Sequence, residues 1–168
     1  LSSNSSLDQI ELTSKSGNYQ MRGMPADDFP ELPLVESGTS FKVKCKSLVQ
    51  SLRSTLFASS SDEAKQLLTG VHLSFEGREL KSAATDGHRL AVLNINNSLQ
   101  EESSDLDSTF AVTLPSRSLK ELERLLSNLK GDDLVSLFCD KGQVVFLASD
   151  QIVTSRTLEG MYPNYKQL

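Results

Sequence analysis

The chain has 168 residues, of which 38% are hydrophobic, and a formal net charge of −5. This length fits one domain plus an appendage, and no apolar run approaches the roughly 20 residues that a membrane span requires. The acidic balance argues against a protein that binds nucleic acid through bulk positive charge. The chain starts at Leu1 without a basic and apolar leader, so the sequence indicates no signal peptide, and we expect a fragment whose natural start lies upstream.

The cysteines and histidines do not form a metal-binding pattern. Cys45, Cys139, His72 and His88 are scattered along the chain, whereas a structural zinc site usually needs four clustered ligands. We therefore predict no metal site, no cofactor and two buried thiols. Unpaired cysteines also fit a reducing cytoplasm.

Residues 1–36 differ in character from the rest of the chain. Two short alternating runs predict a hairpin with its turn at Ser16-Gly17-Asn18. Three prolines within residues 25–33 then favour an extended connector. Because a lone hairpin is marginally stable in water, we interpret residues 1–36 as the tail of a preceding domain plus a linker.

The remaining residues, 37–168, contain the pattern β-α-β-β-β twice, at about residues 40–95 and 108–160. Each copy opens with an alternating strand in which Phe41 or Phe110 holds the same place, and the strand leads into a helix. The strands predicted after the helices cover residues 67–76, 78–84, 88–94, 134–139, 143–148 and 151–158. The pattern predicts an α+β fold in one domain, with an antiparallel sheet and two helices on one face.

Both helices, predicted at about residues 46–58 and 115–128, are amphipathic. Their apolar stripes consist of Leu48, Val49, Leu52 and Leu56 in the first helix and Leu119, Leu122, Leu125 and Leu126 in the second. The second helix has two candidate starts, either Pro115 in its first turn or a capping box made by Ser118 and Glu121.

The opposite faces of the two helices are mildly basic. They carry, at helical spacing, Lys46, Gln50, Arg53, Arg117, Lys120 and Arg124. Glu121 and Glu123 interrupt the second helix, but most other acidic residues lie elsewhere. Taken alone, this pattern is typical of an ordinary solvated helix face.

Three segments together resemble a known family. Residues 81–92 read KSAATDGHRLAV, residues 157–165 read TLEGMYPNY, and residues 24–30 read MPADDFP. These segments are similar, in the family's order and at compatible distances, to signatures of the bacterial DNA polymerase III beta subunit, the beta sliding clamp. The resemblance covers the end of the first domain and the middle domain, so the expected fold is the DNA-clamp fold.

The resemblance implies a non-catalytic processivity factor that encircles duplex DNA. In the family, two subunits close head to tail into a homodimeric ring whose helices line the hole. Weak, sequence-independent phosphate contacts suffice for a topologically linked ring to slide. The basic helix faces then become candidate DNA contacts, and an acidic net charge is tolerable.

The resemblance also implies half of a pocket that binds partner peptides rich in Gln, Leu and Phe. Its residues here would be Leu68, Thr85, Gly87, His88, Arg89, Leu90, Pro163, Gln167 and Leu168. The leucines and Pro163 offer apolar anchors, and Gly87 allows close backbone approach. Gln167 stands where many family members carry Arg, which puts one polar contact in doubt.

The partners implied by the resemblance are the DNA polymerase III catalytic subunit, the clamp loader, other proteins with a clamp-binding motif and a second copy of the chain, with no membrane. The implied location is the cytoplasm, in association with the nucleoid. No nucleophile elbow, phosphate loop or metal set accompanies Asp86 and His88, so we do not expect an enzyme. The alternative function is a non-catalytic α+β protein-interaction domain that uses the Asp86-Gly87 hairpin and has no DNA role.

Overall fold

The computed structural model describes residues 2–4, 9–30, 39–96, 109–140 and 142–165. The chain divides into two compact units, Leu1–Pro33 and Leu34–Leu168. Within the described residues, no helix has both the length and the apolar character needed to cross a bilayer.

The first unit is a three-stranded antiparallel sheet. Its strands are, in chain and sheet order, β1 (Ser2–Asn4), β2 (Gln9–Ser14) and β3 (Gly17–Arg22). β2 and β3 form the predicted hairpin, but Ser14 pairs with Gly17, so the turn is Lys15-Ser16 and lies earlier than predicted. The sequence pattern does not predict β1. A 3-10 helix, Ala26–Asp28, interrupts the segment predicted as extended.

The second unit contains the two predicted β-α-β-β-β repeats. Its strands and α-helices are β4 (Thr39–Lys44), α1 (Cys45–Thr55), β5 (Gly70–Glu76), β6 (Glu79–Thr85), β7 (Leu90–Ile95), β8 (Phe110–Pro115), α2 (Ser116–Leu126), β9 (Leu134–Asp140), β10 (Gln143–Ala148) and β11 (Gln151–Arg156). Two 3-10 helices, Leu56–Ala58 and Glu63–Thr69, follow α1. The second of them occupies residues that were predicted to start β5.

The strands form two four-stranded antiparallel sheets, ordered β11-β10-β9-β4 and β7-β6-β5-β8. The first strand of each repeat therefore joins the sheet of the other repeat. β4 pairs with β9, with Phe41 opposite Leu137, and β8 pairs with β5, with Phe110 opposite Phe75. Because of this exchange, neither repeat has a complete sheet of its own.

One hydrophobic core joins both sheets and both helices. Phe41 of β4 stacks on Phe75 of β5 with ring centroids 4.6 Å apart, and its ring lies 5.7 Å from that of Phe110. The matching phenylalanines of the two repeats thus meet in the core. Of the predicted helix stripes, Val49 and Leu125 are only half-buried, and the other six residues are buried.

Backbone carbonyl groups and a proline set the starts of the helices. At the start of α1, the N–H groups of Cys45 and Lys46 donate to the carbonyl oxygens of Asp133 and Gly131, which satisfies donors that every helix start leaves open. Pro115 immediately precedes the first residue of α2. The alternative start at Ser118 is wrong, because Ser118 lies inside the helix.

Both cysteines are buried and unpaired, which confirms the prediction of buried thiols. Burial raises the pKa of Cys139 to about 12, and burial together with the charge of Asp133 raises the pKa of Cys45. Neither thiol is therefore a reactive thiolate at neutral pH.

Candidate functional site

The basic helix faces lie on two neighbouring helices. α1 and α2 pack against each other, and all six polar residues predicted for DNA contact are exposed. Lys46, Gln50 and Arg53 lie on α1, and the other three lie on α2. The structure therefore presents these side chains to solvent and leaves the leucine stripes for the core.

Three of the five cations on these faces form ion pairs. Lys46 Nζ lies 3.0 Å from Asp132 Oδ1, and Arg124 Nε lies 3.0 Å from Glu121 Oε2. The third pair, between Arg53 and Glu123, joins the two helices. Arg117 and Lys120, by contrast, have no ion pair with any residue that the structure describes. They are the open positive charges of this surface.

The second candidate region is the loop 86–89 between β6 and β7, which Asp86 organises. Its Oδ1 accepts hydrogen bonds from the N–H groups of His88, at 2.9 Å, and Arg89, at 3.0 Å, and its Oδ2 accepts one from Arg89 Nε at 2.9 Å. The two backbone donors and then the Arg89 side chain lower the pKa of Asp86. At neutral pH, the loop is thus built around a carboxylate that accepts three hydrogen bonds.

The buried side chain of Thr85 forms hydrogen bonds with two residues of this loop. Its Oγ1 donates to the carbonyl oxygen of Arg89 at 2.7 Å and accepts from the N–H of Gly87 at 3.1 Å. Gly87 has φ +94°, a conformation that side-chain-bearing residues rarely adopt. The glycine is therefore required by the turn, independently of any ligand.

His88 and Arg89 are both exposed, but their side chains differ in how much the surrounding residues restrain them. The Arg89 guanidinium bonds to Asp86 and lies over the exposed ring of Phe57, with 5.9 Å from Cζ to the ring centroid. These contacts fix its position before any partner arrives. For His88, only the backbone N–H takes part in the loop network described above, so its imidazole faces solvent.

An open cleft of about 380 Å³ lies beside this loop. Its walls include two of the predicted site residues, Leu68 and Pro163, together with Leu67, Lys65, Gln66 and Glu159. A Cβ placed on Gly87 would lie 3.9 Å from Lys65 Nζ, so the cleft and the loop are adjacent. Leu90, another predicted anchor, is 39% exposed at the start of β7.

The segment after β11 is attached to this region by polar and aromatic contacts. Tyr162 Oη accepts a hydrogen bond of 3.1 Å from the N–H of Thr85, and the Tyr162 ring stacks on His72 with centroids 5.0 Å apart. The N–H of Leu158 donates to the carbonyl oxygen of Thr113 at 2.8 Å. These contacts hold the Pro163 wall against the β6–β7 loop.

The structure therefore brings together seven of the nine residues predicted for peptide binding, in the loop 86–89, at the strand ends that flank it and in the neighbouring cleft. Gln167 and Leu168 lie outside the described residues. The sequence pattern does not indicate Lys65, Gln66, Leu67 and Glu159 as cleft residues, because it predicts a strand from Leu67 onward and does not distinguish the other three. No cluster of three or more potential metal ligands occurs in the part of the chain that the structure describes.

Comparison with known proteins gives consistent results. Residues 42–164 match the sequence model of a family described as DNA polymerase III beta subunit, central domain. The chain is 52% identical over 153 residues to the beta sliding clamp of Synechococcus elongatus, covering 91% of this chain and 40% of that one. It is 32% identical over 157 residues to the beta sliding clamp of Bacillus subtilis, with coverages of 94% and 40%.

A solved structure extends the similarity to three dimensions. The crystal structure of the DNA polymerase sliding clamp from Bacillus subtilis matches with a TM-score of 0.81 at 31% identity, covering 95% of this chain and 40% of that one. The chain thus spans about 40% of the length of the relatives it matches.

Proposed function

The chain belongs to the DNA polymerase III beta subunit family, and we propose that it is part of a DNA sliding clamp, a non-catalytic processivity factor that encircles duplex DNA. Residues 1–36 would be the tail of the preceding clamp domain plus a linker, and residues 37–168 the middle domain. The protein would act in the cytoplasm, on the nucleoid, as a head-to-tail homodimeric ring. The observation that carries this proposal is the exposed cationic surface on two adjacent helices of an acidic chain.

The charge distribution suits a ring that slides. A protein that neutralises six to ten phosphates loses roughly 10³–10⁵ in affinity between about 50 and 200 mM salt, so its binding is strong at low salt. This unit offers five cations on the helix faces, three of them already in ion pairs. Such a surface would hold DNA weakly at any one position, and the closed ring would prevent escape.

The loop 86–89 and the adjacent cleft support a second part of the proposal, the binding of partner peptides. Leu68, Leu90 and Pro163 supply apolar surface for a leucine or aromatic anchor. The fixed Arg89 guanidinium and the solvent-facing His88 imidazole supply hydrogen-bond donors. The partners would be the DNA polymerase III catalytic subunit, the clamp loader and other proteins with a short clamp-binding motif.

A second candidate is a protein-interaction domain without a DNA role. The net charge of −5 favours it. A protein-interaction domain of this kind should bind its peptide equally well with and without DNA. It should not be retained on any DNA molecule.

Retention on circular and linear DNA separates the two candidates. We expect protein expressed from its complete coding sequence, once loaded, to remain on closed circles and to leave linear duplexes through their ends. Arg117→Glu with Lys120→Glu should reduce loading or retention on circles at least tenfold without lowering the melting temperature, since both side chains are exposed and unpaired within the described structure.

The control variant carries Arg78→Glu with Arg156→Glu, which makes the same change in net charge at exposed positions outside the helices. It should retain circles normally. Equal loss from circular and linear DNA in the unmodified protein would refute the sliding-clamp proposal and favour the interaction domain.

A further inference from the structure

The three ion pairs of the basic helix faces differ in how firmly they hold their cations. In the pair of Lys46 with Asp132, the side chains are 61% and 86% exposed, and in the pair of Arg124 with Glu121 they are 68% and 63% exposed. Exposed pairs of this kind contribute little to stability and rearrange readily. A phosphate group approaching the surface can therefore replace either carboxylate.

The pair of Arg53 with Glu123 is held more firmly. Arg53 Nε donates to Glu123 Oε1 at 2.7 Å, and the Glu123 side chain is only 21% exposed. Ser127 Oγ accepts from Arg53 Nη2 at 2.9 Å, and its one hydroxyl proton is shared between the backbone carbonyl oxygen of Glu123, at 2.7 Å, and Glu123 Oε1, at 2.9 Å. Arg53 is therefore held by two charge-assisted hydrogen bonds, to Glu123 and to Ser127, and such bonds are stronger than neutral ones.

This set of contacts spans a groove. The space between α1 and the end of α2, about 190 Å³, has Cys45, Val49, Leu126 and Leu129 among its lining residues. Arg53 and Ser127 also line it, from the first and the second repeat respectively. The groove interrupts the apolar packing between α1 and α2. There the hydrogen bonds of Arg53 with Glu123 and Ser127, which we call the Arg53–Glu123–Ser127 bridge, join the two helices.

We propose that Arg53 is a positioning residue, which fixes α1 against α2 through Glu123 and Ser127. The DNA attraction of this surface then comes from the other four cations, of which Arg117 and Lys120 have no ion pair within the described structure, and Lys46 and Arg124 have pairs that a phosphate can open. This inference rests on the proposed function and refines it. Glu123 neutralises Arg53, so one of the six residues predicted as DNA contacts acts on the shape of the surface instead of on phosphate. Glu123 thereby keeps the surface weakly attractive.

The salt dependence of DNA binding tests this division of roles. Each phosphate contact contributes about 0.9 to the slope of log K against log salt concentration. With protein from the complete coding sequence and a short duplex, measured by fluorescence anisotropy over a series of NaCl concentrations, Arg117→Gln should make the slope shallower by about 0.9. Arg53→Gln should leave the slope unchanged.

The most informative variant is Glu123→Gln, because it releases Arg53 toward the DNA. We expect it to make the slope steeper by about 0.9, whereas Asp150→Asn, the same change of charge in the β10–β11 turn, should not change it. A shallower slope in Arg53→Gln, equal to that in Arg117→Gln, would overturn the proposal. So would an unchanged slope in Glu123→Gln.

The positioning role can be measured without DNA. In thermal unfolding, Arg53→Gln and Glu123→Gln should each lower the melting temperature, and the double variant should lose clearly less than the sum of the two losses. The matched cycle of Glu121→Gln with Arg124→Gln, an exposed pair within α2, should be additive. Additive losses in the Arg53 cycle would refute the bridge.

The two measurements separate this inference from the proposed function. If no variant changes the slope while the Arg53 cycle remains non-additive, the DNA role fails and the bridge stands. If Arg117→Gln changes the slope while the Arg53 cycle is additive, the DNA role stands and the bridge is refuted.

Discussion

The two repeats of the second unit contain the same strands and α-helix but differ in two connections. Between helix and strand, residues 56–69 connect α1 to β5, and the connection between α2 and β9, residues 127–133, is half as long. Between the last two strands, the first repeat has the loop 86–89, whereas the second repeat turns through Ser149-Asp150 alone. The second repeat is thus the simpler version of the fold.

The added residues of the first repeat coincide with the proposed peptide region. Leu68 lies in the longer helix–strand connection, and Gly87, His88 and Arg89 lie in the longer hairpin loop. Thr85 and Leu90 flank that loop on either side. The repeat would then supply the scaffold, and the departures from the repeat would supply the proposed binding surface, as is common for loops on rigid elements.

Removing the anchors of the longer loop should produce the largest effect. We expect His88→Ala with Leu90→Ala to weaken the binding of a peptide rich in Gln, Leu and Phe about a hundredfold, because truncating central interface anchors often costs 2 kcal/mol or more. The measurement is isothermal titration of the peptide into protein expressed from the complete coding sequence.

The second repeat offers a matched control for this double variant. Asp150 and Ile152 have the same spacing across the shorter turn, and Ile152 is 45% exposed, similar to Leu90. Asp150→Ala with Ile152→Ala should leave peptide affinity unchanged. If the two double variants behaved alike, the assignment of the peptide site to the first repeat would be wrong.

The first residues of the equivalent strands β5 and β9 also differ, because β5 begins with Gly70. A Cβ on Gly70 would lie 2.6 Å from the carbonyl oxygen of Leu114 and 2.7 Å from Cδ1 of Leu158. Because one of these neighbours is backbone, we expect Gly70→Ala to destabilise the protein by about 2 kcal/mol in urea unfolding. The equivalent residue of β9 is Leu134, which is 40% exposed, so Leu134→Ala should cost less than about 1 kcal/mol. Equal costs at the two positions would show that the close approach at Gly70 is unimportant.

Periodicity in the sequence was sufficient to predict the order of the strands and α-helices in the second unit. Apolar residues with helical spacing marked α1 and α2, and alternation marked the strands after them, because each pattern reflects which side chains must be buried. The exchange of β4 and β8 between sheets could not be predicted in this way. Alternation specifies the buried face of a strand but not its neighbour.

The parts of the site that escaped prediction depend on contacts between distant residues or on local turns. Arg53 and Glu123 are far apart in the chain, so nothing in either helix alone indicates their pairing. Residues 63–69 form a 3-10 helix, in which Asp62 Oδ1 accepts a hydrogen bond from the N–H of Ala64 at its start. In the sequence, the apolar pair Leu67-Leu68 predicted a strand instead, so most of the cleft residues could not be predicted.

His72 provides the smallest of the expected effects and also distinguishes the repeats, since Ser136 holds its place in β9. The His72 ring is half-buried, stacks on Tyr162 and shares a hydrogen bond of 3.0 Å, through Nδ1, with Thr113 Oγ1. Burial lowers the pKa of His72. The folded protein therefore holds this histidine neutral at a pH where the unfolded chain already binds a proton.

This difference makes stability depend on pH in a defined direction. As pH falls below the unfolded-state pKa of about 6.5, the unfolded state gains a proton that the folded state does not, so the free energy of unfolding decreases until the folded-state pKa is reached. One group can contribute at most about 1.4 kcal/mol per pH unit. Melting temperatures measured between about pH 7.5 and 5.5 should fall less steeply for His72→Gln than for the unmodified protein. If the melting temperature of His72→Gln fell with pH as steeply as that of the unmodified protein, the contact between β5 and Tyr162 would not be sensitive to protonation. The pH response of the first repeat would then have to come from another group.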